Sequence, residues 1–164
     1  MGRALGLFLF AAMAAIAPAA AQQIPGPYGA PVTLAQARQI ADVAERVAGE
    51  RRLRMAFTVV DPAGQPILVH VMDGTQSGSI AVSQQKARTA AQFRRPTKAF
   101  ADGLAAGNLG VLTMDGVVAL EGGVPILSGG RVIGALGVSG GTSAEDGQIA
   151  ASALASAGLD GQKK

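Results

Sequence analysis

Residues 121–141 read EGGVPILSGGRVIGALGVSGG and hold eight of the chain's 23 glycines. Two apolar runs flank Gly129 and Gly130. A two-residue Gly-Gly loop is a favoured hairpin turn, because glycine accepts positive φ without a Cβ clash. The stretch therefore reads as strand, turn, strand. On the second strand Val132, Leu136 and Val138 are expected on one face, with Ile133, Ala135 and Gly137 on the other. The small residues of that second face leave room for a helix or a flat ligand to approach closely. Both faces read as covered, as in a layered domain.

Upstream, Thr33 is placed to cap a helix with Gln36 reaching back to it, and Leu34, Ala37, Ile40, Ala41, Ala44, Val47 and Ala48 form its apolar stripe. Residues 57–61 and 67–72 read as strands around a Pro62-Ala63-Gly64 turn; so short a connection makes them antiparallel. Ser77 or Ser79 opens a second helix running to about Arg94, and Pro96 with Thr97 a short third one. Residues 105–123 give weak signals, with a short strand expected around 117–120. Ser143 with Asp146 is expected to start a last helix, through Leu154. The order is helix, hairpin, helices, hairpin, helix, which makes the fold class α+β: one antiparallel sheet flanked by helices.

The chain opens with Arg3, an apolar run over residues 4–16, Pro18 and three alanines at 19–21. This is the pattern of a secretory signal peptide, 1–21, cleaved before Gln22, so a periplasmic or secreted protein is expected. The run is too short for a bilayer span, which needs roughly 20 apolar residues. Residues 22–32, with Pro25, Pro27 and Pro31, read as an extended leader, and residues 33–160 as one domain. Without Arg3, the 14 basic residues become 13 against 11 acidic ones, so the high pI does not imply a nucleic-acid partner. Absence of cysteine removes disulfides, thiolate nucleophiles and covalent haem attachment.

An ordered set of segments carries a family resemblance. They are Val59-Val60-Asp61 with Gly64, Met72-Asp73-Gly74, Lys86-Ala87-Arg88-Thr89-Ala90, Phe93 with Pro96-Thr97, residues 122–126, and residues 133–141 ahead of Asp146. The chain resembles, over roughly residues 33–157, the GlcG/HbpS family of haem-binding or haem-degrading-like domains, and is similar to the C-terminal domain of PduO-type proteins. That resemblance implies a profilin- or PAS-like single domain, a homo-oligomer, and haem or a related planar tetrapyrrole as non-covalent ligand. Val71 and Gln65 depart from the family pattern, which commonly has Arg before Met-Asp-Gly and often His after the turn glycine.

His70 is the only histidine, and as an imidazole beside Met72 it is the candidate metal ligand. The two cannot both be axial on one iron, because strand residues i and i+2 lie about 6.6 Å apart and point the same way. Lys86 and Arg88 complete the candidate cofactor-binding set; two apart on a helix, they face different sides and cannot jointly grip one anion. Arg88, Arg94, Arg95 and Lys98 form either a basic rim for an anion such as a propionate or a solvated face. Residues 137–141 match the Gly-x-Ser-x-Gly elbow of hydrolases, but His70 precedes Ser139, against the order such enzymes use. No phosphate loop or zinc set is present. An enzyme acting on haem or another small molecule is the alternative, with Lys86, Arg88, Asp73 and Asp146 as its reactive groups. An oligomeric structural or interaction module is a third reading.

Overall fold

The computed structural model describes residues 26–159; the expected signal peptide and residues 22–25 lie outside them. Helix α1 (Leu34–Glu50) starts at Thr33, whose hydroxyl accepts the Gln36 amide at 3.2 Å while Gln36 Oε1 accepts the Thr33 amide at 2.9 Å. Two of the helix's free amides are thus satisfied reciprocally. Strands β1 (Ala56–Val60) and β2 (Pro66–Val71) form the first hairpin. Helices α2 (Gly78–Phe93) and α3 (Lys98–Ala105) follow, then a 3-10 turn (Leu109–Thr113). The second hairpin is β3 (Gly123–Ser128) and β4 (Arg131–Ser139), with Gly129 and Gly130 at φ 55° and 74° in the turn. Helix α4 (Ser143–Ser156) is the last element.

The four strands form one antiparallel sheet in the order β2-β1-β4-β3. Alternation along its central strands sorts the core into two layers. Phe57, Val59, Leu136 and Val138 meet α1 and α4 residues such as Ile40, Ala44, Ile149 and Leu154, whereas Val60 and Ala135 meet Ala87, Ala90 and Ala91 of α2. The sheet is therefore covered on both sides, and β1 is buried along its whole length. A buried polar contact joins β1 to α2: Thr58 Oγ1 lies 2.8 Å from Ser83 Oγ, which in turn donates to the Ile80 carbonyl. Phe93 and Phe100, edge to face at 5.3 Å, hold α3 against the end of α2. The fold class matches the expectation. No helix among the described residues is long and apolar enough to cross a membrane.

Four local features differ from the sequence-based reading. The β3–β4 register shifts between Ile126 and Leu127, so Ile133 joins Leu136 and Val138 in the α1/α4 core instead of facing away from them. Residues 26–32 are extended but also packed: Val32 is buried, and Tyr28 forms a parallel bridge with Val132, where β4 runs on past the end of β1. No strand forms at residues 117–120. There the Thr89 hydroxyl donates to the Gly116 carbonyl and accepts the Val118 amide, pinning the segment to α2 by a side chain where a ladder would need a strand. Finally, α4 is capped by Thr142 with Glu145, one residue before the expected Ser143–Asp146 pair. That offset frees the Asp146 carboxylate for another contact.

Candidate functional site

His70 lies on the edge strand β2 opposite Phe57, with ring centroids 6.0 Å apart and planes tilted by 37°. It faces α1. Its Nε2 is 2.9 Å from Glu45 Oε2, and the imidazole is 30% exposed against 47% for the glutamate. An ionised carboxylate is acceptor-only, so this distance places a ring proton on Nε2. The carboxylate thus occupies Nε2 itself, whereas the carboxylates found around metal-ligating imidazoles hold the ring nitrogen that does not bind the metal. Glu45 was not legible as its partner, since 25 residues separate the two and its position in α1 reads as an ordinary boundary between apolar stripe and solvent.

Met72 follows on the same side of the sheet, but its side chain is buried in the α1/α4 core, 7% exposed. Lys86 lies in the other layer and is also buried. Its Nζ donates to Asp146 Oδ2 at 2.6 Å and to the Val138 carbonyl at 3.1 Å, where β3 begins and β4 ends. Asp146 Oδ1 accepts the Gly141 amide at 3.0 Å. Burial pushes the Asp146 carboxyl above the ordinary carboxylate range, with Lys86 and the Gly141 and Gly140 amides pulling the other way. Both charges are thus committed to each other and to backbone. The pair joins α2 to the start of α4.

Arg88 is exposed over the first hairpin turn, and it forms no ion pair among the described residues. His70 and Arg88 are on opposite sides of the sheet, so one subunit does not offer both to the same ligand. The expected basic rim is divided among separate contacts. Arg94 Nη1 donates to the Gly26 carbonyl and its guanidinium sits 5.2 Å from the Tyr28 ring centre. Arg95 stacks over Phe100, and Lys98 pairs with Asp102. Ser139 is buried within β4, unlike an exposed elbow nucleophile.

The small-residue face of β4 receives α2: a Cβ on Gly137 would run into the Ser83 carbonyl oxygen and lie 2.6 Å from the Ala87 nitrogen. The space that sequence left open to a helix or a flat ligand therefore belongs to the helix. A groove of about 370 Å³ runs between residues 29–36 and the second hairpin, lined by Pro31, Thr33, Gln36, Ser128 and Arg131 among others. It contains none of the four expected site residues, and Thr33 is about 18 Å along α1 from Glu45. No group of three or more His, Cys, Asp or Glu side chains among the described residues is arranged to hold a metal ion. His70, the one histidine in the sequence, stands outside any such group.

Comparison with known proteins gives the same fold. An uncharacterised 15.0 kDa protein of Citrobacter freundii, from the dhaT-dhaS intergenic region, is 36% identical over 129 residues, 76% of this chain and 91% of that protein. The structure solved as the PduOC:haem complex matches with a TM-score of 0.69 and 26% identity, over 76% of this chain and 94% of that one. A double mutant of Streptomyces reticuli HbpS matches with a TM-score of 0.72 and 26% identity, over 88% and 97% of the two chains. The family described as "Haem degrading protein HbpS-like" matches residues 32–155, and this chain belongs to it.

Proposed function

We propose that the protein is an exported binder of haem or a related planar tetrapyrrole, held without covalent attachment. The observation that carries this reading is the fold shared with PduOC, whose structure contains haem, over 94% of that chain. A partly exposed imidazole on an edge strand, from the one histidine in the sequence, adds support within this chain. His70 would supply the side-chain nitrogen that holds the haem iron. Haem iron, when bound, is a Lewis-acidic redox centre whose behaviour follows its axial ligand and the polarity around it. Titration of the purified protein with hemin is expected to give a saturable Soret shift, with affinity lowered at least tenfold in His70→Ala. Absence of saturation removes the reading; saturation unchanged by His70→Ala keeps the ligand and removes the residue.

Export is supported by the apolar run at residues 4–16 and the alanines at 19–21. The mature N-terminus is expected at Gln22 and is read by intact-mass measurement. A homo-oligomer is supported by Leu109 and Leu112, 65% and 68% exposed on the 3-10 turn. Light scattering on the eluting protein is expected to give a multiple of the subunit mass; a monomer at micromolar concentration contradicts it.

A further inference from the structure

We infer that Glu45 is a cap on His70, governing access to the Nε2 nitrogen. The other ring nitrogen, Nδ1, lies next to Cβ and the strand backbone, so a bulky electrophile such as a metal in a macrocycle reaches an imidazole on a strand most easily through Nε2. That nitrogen is the one 2.9 Å from Glu45 Oε2. The ring cannot swing freely away from the contact, because Phe57, itself 1% exposed, stands opposite it on β1. The carboxylate has more freedom, being 47% exposed at the end of a flexible side chain on α1. Opening the site is therefore a movement of Glu45. For iron as the electrophile, the inference rests on the haem-binding reading; for access to Nε2 as such, it does not.

The test uses Glu45→Ala, which keeps a strong helix former in α1, and Glu45→Gln, which keeps the length but weakens the contact. Because His70 is the only histidine, its acylation by diethyl pyrocarbonate reads one nitrogen pair without any haem present. Glu45→Ala is expected to accelerate that acylation and to tighten hemin binding, each about two- to five-fold, the range for releasing an exposed ion-pair contact. Glu45→Gln should fall between Glu45→Ala and the native chain. An unchanged or slower acylation rate overturns the cap. Faster acylation in a protein that takes up no hemin keeps the cap and removes the haem reading. Faster acylation with unchanged hemin affinity keeps the cap and removes His70 as the ligand.

Discussion

Gly137→Ala is expected to lower the Tm by roughly 10 °C, the equivalent of about 3 kcal/mol in a domain of this size. The added methyl would meet the Ser83 carbonyl oxygen and come within 2.6 Å of the Ala87 nitrogen and 2.9 Å of its Cβ. Two of these are backbone atoms of α2, so no rotamer change relieves the clash. The helix must move off the sheet, and with it Ala87, Ala90 and Ala91, which pack against Val60 and Ala135. The Thr58–Ser83 hydrogen bond would be lost in the same shift. Gly123 repeats the arrangement on β3, where a Cβ would meet the Lys86 carbonyl and, at 2.6 Å, Thr97 Cγ2. Gly49 is the control. It lies in α1, where an added methyl would have nothing within 4 Å, and Gly49→Ala is expected to stabilise by about 0.5 kcal/mol through helix propensity. Thermal melts of the two variants therefore shift in opposite directions; a Gly137→Ala protein melting with the native chain would show that α2 does not need this contact.

What could be read from the sequence was what neighbouring residues decide. The Gly129–Gly130 turn, the Thr33–Gln36 box and the short first hairpin each lie within a few positions along the chain, and each is present. Together with the apolar stripes of the helices they carried the element order and the α+β class, but not which helices share a side of the sheet. The glycine face of β4 was legible as a site of close approach, but smallness is equally compatible with a helix and with a ligand. Only α2's placement decides. With two consecutive hydroxyl residues, Thr142 and Ser143, the local pattern puts the last helix's cap at Ser143, one residue late, and the true box of Thr142 with Glu145 changes what Asp146 does. Its partner Lys86 is 60 positions away, beyond any local pattern. The same holds for Glu45 and His70, so the contact that most affects the candidate site was not legible. Lys86 was selected from the family segment, and its burial gives that position a structural use.

That use predicts a strongly non-additive pair of substitutions. Lys86→Met leaves the Asp146 carboxylate buried without its cation, and Asp146→Asn leaves the Lys86 ammonium with only the Val138 carbonyl. Each is expected to cost about 3–5 kcal/mol, the usual result of stranding one charge of a buried pair. That is a large part of the roughly 5–15 kcal/mol that holds a domain folded. The double variant should be more stable than either single one, because it strands no charge and the side-chain amide introduced by Asp146→Asn retains an oxygen for the Gly141 amide. Additive losses in urea melts would show that the two residues do not act as a pair. The pH dependence gives a second, independent reading. Burial already holds the Asp146 carboxyl above its ordinary value of 3.8, and removing Lys86 takes away the largest opposing influence. A raised folded-state value means the native chain binds that proton more tightly than the unfolded chain. In Lys86→Met, stability should therefore rise as pH falls from the raised folded value toward 3.8, recovering part of the deficit measured at neutral pH. The Lys86→Met/Asp146→Asn protein has no such carboxylate, so its stability should not show this recovery on acidification. Equal acid responses in the two proteins would mean that the stranded carboxylate is not the source of the loss.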